Sequence, residues 1–261
     1  MVGATGKFGR SIIAQTSPEI EIVGAVSSNS NPLIGRKLNE MGISDSNTVL
    51  SDASHIADVV ARSDVVVFVS RPEADLANVP KVASKGKRIV VGTTGFTQSQ
   101  LDQLRSSLAN VPNIIESNFS IGANLLFKIA ELVSHFNELY DYSIVEQHHK
   151  MKVDAPSGTA RKIVQLLNGR GAFPVTVTDR TSKPKREEGE IEVISLRGGG
   201  TPGIHELILT GENEMIRIEH LAFSRAAAAT GLLLACRWLA SKVEPGIYSM
   251  ADVLQDTLNR G

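Results

Sequence analysis

The stretch "VGATGKFGR", Val2 to Arg10, decides the fold, because Gly3, Gly6 and Gly9 stand three residues apart at the start of a helical pattern. Glycines let a backbone turn tightly and approach a pyrophosphate, and the following helix start offers unpaired N–H groups and a partial positive charge. An ordinary glycine turn has the same composition, so the neighbourhood has to decide. Downstream, "EIEIVGAV", "SDVVVFVS" and "GKRIVVGTT" are short and β-branched. Between them, "KFGRSIIAQ", "ASHIADVVA", "DLANVPKVASK" and "TQSQLDQLRSSL" repeat their apolar residues at helical spacing. Strands covered on both faces and separated by helices predict a parallel sheet in an α/β layer fold. Ligands of such sheets bind beyond the carboxyl ends of the strands. "VSRPEA" (Val69–Ala74) and "GTTGF" (Gly92–Phe96) stand at those ends. Pro72 and Gly95 also suit plain turns, and Thr93 and Thr94 also suit helix N-caps. Only Met1 and Val2 precede Gly3, so the first strand of the pattern is either cut short or begins upstream.

After about Asn118 the texture changes. "ANLLFKIAELVSHFNEL" is a long amphipathic helix, followed by "YDYSIVEQHH" and a helix "SGTARKIVQLLN". "PVTVTDR", "GEIEVISLRG", "IHELILTG" and "EMIRIEHLAF" then alternate apolar and polar residues, as in a mixed or antiparallel sheet with one covered face. "AAAATGLLLACRWLASK" and "MADVLQDTL" close the chain as helices that can pack back on the first domain. The expected organisation is a Rossmann-like α/β domain over 1–118, an α+β domain over 119–225 for substrate and oligomerisation, and a return over 226–261.

With 261 residues, 42% of them hydrophobic, and a formal net charge of −1, the composition is that of a soluble globular protein. That charge argues against nucleic acid as the main partner, since phosphate binding needs a clustered basic surface. The richest cationic run, "RTSKPKREEGE", is followed by acids and reads as a solvated loop. The single Cys236 excludes an internal disulfide, reads as a small core residue, and fits a reducing cytoplasm. No run approaches the roughly 20 apolar residues of a membrane span, and no signal-peptide pattern opens the chain. No metal is expected.

"EQHHKMKVDAPSGTA", Glu146 to Ala160, carries chemistry rather than core. His, Lys and Asp are costly to bury, and the stretch has no long apolar face. His148 and Lys152, four apart, share a face in a strand or a helix, while His149 points elsewhere in a strand. Ser157, Gly158 and Thr159 precede a helical pattern whose starting N–H groups make a carboxylate cradle. A proton donor, a cation and an anion cradle suit a small acidic substrate. The plainer alternative is a helix cap beside surface histidines.

The same fifteen residues resemble the signature of the dihydrodipicolinate reductase family, Glu-x-His-His-x-x-Lys-x-Asp-x-Pro-Ser-Gly-Thr-Ala, at every fixed position. "VGATGKFGR", "RPE", "GTTGF", "SNFSIGANLL" and "SRAAAATG" follow the family order, so the resemblance spans nearly the whole chain. It implies a two-domain cytoplasmic enzyme (or a plastid one, given a longer precursor) that reduces a cyclic dicarboxylate with NADPH or NADH. A homotetramer built through the C-terminal sheets is also implied. By position His148 resembles the general acid and Lys152 the partner of a substrate carboxylate. His149, Ser157, Gly158, Thr159 and Arg225 fall at substrate contacts. Gly3, Gly6, Lys7, Phe8, Gly92, Thr94, Ser117 and Phe119 fall at cofactor contacts. The departures are the short first strand and the serines where many members carry an acid after the second strand.

The chemistry is coherent. Hydride reaching a conjugated ring carbon pushes electrons toward the imine, and the adjacent carbon then needs a proton. A histidine supplies one at neutral pH. A hinge near Asn118 and Arg225 would let the domains close and exclude water. After "EIEIVGAV" the chain reads "SSNSN", so Ser27 and Ser28 stand where an NAD-selective protein places an acid. With no charge to repel a 2′-phosphate, NADPH is expected to be accepted, preferentially or alongside NADH. Two alternatives remain at this stage: another two-domain reductase acting on an amino-acid semialdehyde, and a non-catalytic dinucleotide sensor. Intact His148 and Lys152 weigh against the sensor.

Overall fold

In the computed structural model, residues 1–170, 175–178, 181 and 185–259 are described. The chain divides into two compact units, Met1–Ile121 with Ala226–Gly261, and Gly122–Arg225.

The first unit is the parallel α/β layer. β1 (Ala25–Ser27) pairs with β2 (Leu50–Asp52), and β3 (Val65–Phe68), β4 (Arg88–Val91), β5 (Pro112–Ile115) and β11 (Gly246–Tyr248) follow side by side, all parallel. Val2 joins the two groups by bridging both Val26 and Phe68, so the residues just before the glycine turn sit mid-sheet. The central strands β3 and β4 bury both faces. Val67 and Val90 pack with Ile12 of α1 (Lys7–Ile13), with α7 (Ala226–Ala240) and with α8 (Met250–Leu258). Val66, Phe68, Ile89 and Val91 pack with α2 (Ile56–Ala61), α3 (Pro72–Ala83) and α4 (Gln98–Leu108). Cys236 lies buried in the first of these clusters.

Expectation and structure differ at "EIEIVGAV". Only Ala25–Ser27 forms strand, pairing with β2 and bridged by Val2 at Val26. A strand exists only where a ladder partner exists. Ile20, Ile22 and Val23 instead line a cavity of about 300 Å³ with Met1, Val59 and Val65.

The second unit is a mixed five-stranded sheet in the order β10 (Met215–Leu221), β9 (Ile204–Thr210), β6 (Asp141–His148), β8 (Glu190–Arg197), β7 (Val175–Val177). β6 is central, antiparallel to β9 and parallel to β8. α5 (Ile121–Val133) and α6 (Gly158–Leu167) cover one face, where Leu126, Ala130, Ala160, Ile163 and Leu167 pack on Tyr142, Ile144, Ile191, Val193, Leu207 and Leu209. The other face leaves Ile194 and Leu196 exposed. "PVTVTDR" and "RTSKPKREEGE" lie partly outside the described residues. Within the second, Arg186 is not solvated: its guanidinium binds the Tyr142 and Glu190 carbonyls at 2.8 Å and Asp141 at 3.1 Å.

Candidate functional site

In the first unit the site is mostly backbone. Gly3 has φ +87°, and a Cβ there would lie 2.3 Å from the Val69 carbonyl oxygen. A Cβ at Gly9 would lie 2.2 Å from the Gly3 carbonyl oxygen, so both glycines hold α1 tight against the turn. Gly6 is the N-cap of α1, with no side-chain cap and no acid in the first turn, so Lys7 and Phe8 open the helix with N–H groups left to a ligand. Phe8 packs partly on the core. Phe119 is buried, and a Cβ at Gly92 would meet its ring; only its backbone is left for a ligand. Thr94 and Ser117 are exposed, beyond β4 and β5 respectively. Thr93 is not a cap: it accepts from Ser70 N–H at 2.8 Å, and α4 is capped by Thr97 with Gln100.

At the end of β1, Ser27 is held by Asn31 at 2.7 Å and Thr5 at 3.0 Å, while Ser28 is exposed. One expectation is corrected here. Ser27 pairs in register with Asp52 of β2, so a carboxylate does stand at this strand end, and Ser54 and His55 bonds lower its pKa and keep it charged. No sequence spacing signals that neighbour, which only the register creates. A positive-φ turn, a bare helix start and hydroxyls at the strand ends fit a nicotinamide dinucleotide.

In the second unit the site is side chains. On the helix-covered face of β6, apolar Tyr142 and Ile144 give way to Glu146 and His148. Cross-strand partners complete the polar patch: His205 opposite Glu146 from β9, and Ser195 and Arg197 from β8. Glu146 is fully buried; its Oε1 accepts from Arg197 Nη2 at 2.8 Å and from the Ser157 N–H at 3.2 Å. Its Oε2 lies 3.1 Å from Nε2 of His148, which is also 3.2 Å from Nε2 of His205. Nδ1 of His148 faces the Pro202 carbonyl at 3.2 Å. Ser157 caps α6 through Ala160 N–H and also touches His205 Nε2 at 3.2 Å.

The charges follow from these contacts. Burial works to raise the Glu146 carboxyl, but Arg197, Ser195 and His148 outweigh it and hold it below the usual carboxylate range. Burial lowers His148, against the pull of Glu146 and with the push of Lys152. Burial, with nearby positive charge, takes His205 down to about 3, so it is neutral. His148 ends the strand and Lys152 follows in a turn, so their proximity comes from the turn rather than from strand or helix periodicity. Lys152 binds Asp154 at 2.7 Å. Gly158 and Thr159 form the first turn of α6, and a Cβ at Gly158 would meet only the tip of Arg161, at 4.0 Å, leaving room for a ligand.

The structure thus gathers His148, Lys152, Ser157, Gly158 and Thr159. His149 is half-buried in the turn beside them. Arg225 is exposed at the end of the second unit and makes no ion pair among the described residues. Sequence reasoning left Glu146 without a role and missed Arg197 and His205. His205 and Arg197 lie about fifty residues downstream in the chain, and only the β6–β9 and β6–β8 registers bring them in.

A parallel dinucleotide sheet, together with a second sheet carrying a histidine, a lysine and a helix start, defines an oxidoreductase that uses a nicotinamide dinucleotide. Residues 1–119 match the family model "Dihydrodipicolinate reductase, N-terminus", and residues 122–254 match "Dihydrodipicolinate reductase, C-terminus". The 4-hydroxy-tetrahydrodipicolinate reductase of Methanopyrus kandleri is 35% identical over 97% of this chain and 95% of its own length. That of Aquifex aeolicus is 36% identical over 97% of this chain and 96% of its own. The dipicolinate-bound dihydrodipicolinate reductase of Paenisporosarcina sp. TG-14 shares the fold, with TM-score 0.71 at 23% identity over 95% of each chain. The chain belongs to the dihydrodipicolinate reductase family.

Proposed function

We propose that this enzyme reduces a cyclic dihydrodipicolinate-type dicarboxylate to tetrahydrodipicolinate, in diaminopimelate and lysine biosynthesis, with NADPH or NADH as donor. The observation that carries it is the grouping of His148, Lys152 and the open start of α6 in one unit, which suits an anionic substrate that must also be protonated. When bound, the reduced nicotinamide supplies the hydride. The Gly3 turn and the α1 N–H groups hold the dinucleotide's phosphates. Lys152 pairs with one substrate carboxylate, exchanging Asp154 for it, and the Gly158 and Thr159 N–H groups take a carboxylate at the helix start. His148 gives its proton to the ring carbon next to the one that receives hydride. Substrate carboxylates nearby raise the histidine that burial had lowered, so the proton is present when it is needed. Because the protonated form is the active one, turnover falls as pH rises through the His148 pKa.

Lys152→Ala is expected to raise KM and lower kcat, for a combined loss of about 10- to 100-fold in kcat/KM, the worth of a hydrogen bond to a charged group. Assembly as a homotetramer through the open face of the second sheet, where Ile194 and Leu196 are exposed, belongs to the same reading. Among the described residues no helix is long and apolar enough to cross a membrane, which accords with a cytoplasmic setting. Following nicotinamide absorbance with freshly made dihydrodipicolinate, and in parallel with an amino-acid semialdehyde, tests the function. Oxidation is expected only with the first. Activity only with the semialdehyde, or with neither, refutes it.

A further inference from the structure

Glu146, His148 and His205 bring one carboxylate oxygen and two ring nitrogens within 4.8 Å of one another. Nε2 of His148 stands 3.1 Å from Oε2 of Glu146 and 3.2 Å from Nε2 of His205. The donor atoms of a tetrahedral zinc, each about 2.0–2.1 Å from the ion, stand about 3.3 Å apart. Both edges fit one ion. The hydrogens leave these atoms available to it. The Pro202 carbonyl, 3.2 Å from Nδ1 of His148, can only accept, so the ring carries its hydrogen there and Nε2 is a bare lone pair. Oε2 of the fully buried Glu146 receives no hydrogen bond among the described residues. Burying a carboxylate oxygen without a partner is costly, and a cation is the partner that suits it. His205, buried on β9, reaches the same point because it pairs in register with Glu146. Its Nε2–H can donate to His148 Nε2; with a metal bound, the hydrogen stands on Nδ1 and Nε2 turns its lone pair to the ion.

We propose that Glu146, His148 and His205 form a reversible site for a divalent transition-metal ion, zinc above all, whose occupancy stops proton delivery. The groups around the ligands match that use. A ligating histidine ordinarily donates its other N–H to a carbonyl, as Nδ1 of His148 does to Pro202. A ligating carboxylate is itself held, as Oε1 of Glu146 is by Arg197 at 2.8 Å and by the Ser157 N–H at 3.2 Å. Gly203 lies against both rings: a Cβ there would come 3.0 Å from Cε1 of His148 and 3.6 Å from Cε1 of His205. Two imidazoles and a carboxylate suit zinc and its neighbours rather than magnesium or calcium, which take oxygen ligands. Three protein ligands leave a fourth position for water or a carboxylate. Charge makes the site reversible. Lys152 is matched by Asp154, but Arg197 already shares the Glu146 carboxylate, so the ion is held less tightly than by an unshared one. No metal is expected from the sequence, because spacing shows only Glu146 and His148 and the strand register supplies His205. While the ion holds Nε2, the His148 ring cannot take up the proton that it must deliver. That consequence rests on His148 acting as the acid of the proposed function.

Titrating zinc chloride into the native protein in competition with a chromophoric chelator, without substrate or cofactor, tests the site. One ion per chain is expected. Glu146→Gln and His205→Gln are each expected to bind it about 100-fold more weakly or worse, since even the partners that orient a ligand are worth about 10- to 100-fold. His55→Gln is expected to bind as the native protein does; His55 faces Asp52 at 3.2 Å and is the exposed pair that an adventitious ion would choose. Should neither site variant fold, cobalt(II) on the native protein decides: the intense visible absorption of a four-coordinate ion, displaced by zinc, is expected. Only weak six-coordinate absorption, no zinc binding by the native protein, native affinity in both folded site variants, or loss of binding in His55→Gln overturns the proposal. In the reductase assay, saturating zinc is expected to lower kcat about 10²-fold or more, as loss of the acid does, and a chelator to restore it. Binding is read without substrate, so zinc held by these residues with turnover untouched sinks His148 as the acid and spares the ligands. An active reductase that binds no zinc does the reverse.

Discussion

The two candidate sites, one in each unit, are built from different materials. At Gly3 to Gly9 the proposed dinucleotide would meet backbone, and what matters is the absence of side chains: a methyl group at Gly3 or Gly9 would sit about 2 Å from a carbonyl oxygen. At His148 the proposed substrate would meet a side chain whose charge is set by its surroundings: burial, Glu146, Lys152 and Arg197, with neutral His205 beside it. Binding at the first is therefore expected to be sensitive to shape and insensitive to pH. The second is sensitive to pH and tolerant of shape. On the proposed function, this amounts to a division of labour in which the affinity for cofactor and the timing of a proton can be altered separately.

The largest effect that sharpens this contrast belongs to His148→Ala. Its kcat is expected to fall about 10²- to 10⁴-fold, with a smaller change in KM, because the proton is needed in the transition state. Steady-state kinetics decides, and near-native turnover removes His148 from the mechanism. Gly3→Ala is next. Strain at a positive φ and the clash with Val69 are expected to cost about 1–3 kcal/mol of stability and to weaken NAD(P)H binding about 10- to 100-fold. Thermal melts and a fluorescence titration of the dinucleotide measure both, and a native affinity would mean the turn is not the binding element.

A third test uses acid. His205 is near 3 in the folded protein against about 6.5 when unfolded. Its contribution to stability is complete above pH 6.5 and is lost as pH falls through the interval down to about 3, because only the unfolded chain takes the proton there. The slope is about 1.4 kcal/mol per pH unit for one group. Denaturant melts of native protein and His205→Gln across that interval should differ in slope, and parallel curves would show that His205 is not the group responsible. The smallest effect concerns Asp52. Removing its charge in Asp52→Asn is expected to raise the kcat/KM ratio of NADPH over NADH by a few fold, roughly the worth of one exposed charge interaction. An unchanged ratio would place the 2′-phosphate away from β2.

The glycine spacing and the strand–helix alternation were legible in the sequence because they are local: a turn needs its glycines within a few residues, and a buried strand announces itself by β-branched runs. The same holds for α6, whose Ser157 cap and apolar periodicity sit side by side. β5 and β11 were not legible. "PNII" opens with a proline, and "GIY" is three residues at the sheet edge, so neither carries a run long enough to show. In the site, the histidine, the lysine and the helix start were visible as neighbours in sequence. Arg197, His205 and Asp52 were not, since each reaches its place through pairing with a strand far away in the chain. Sequence displays what the backbone brings together in one stretch, and register supplies the rest.

The separation of the two halves is tested most directly by measuring the NAD(P)H dissociation constant and kcat at saturating cofactor on native protein, Gly3→Ala and His148→Ala side by side. The expected result is a crossed pattern. Gly3→Ala loses cofactor affinity and keeps most of its saturated turnover, whereas His148→Ala binds the dinucleotide as the native protein does and turns over at least about 10²-fold more slowly. A His148→Ala protein with native turnover, or the two variants failing alike in both quantities, would contradict it.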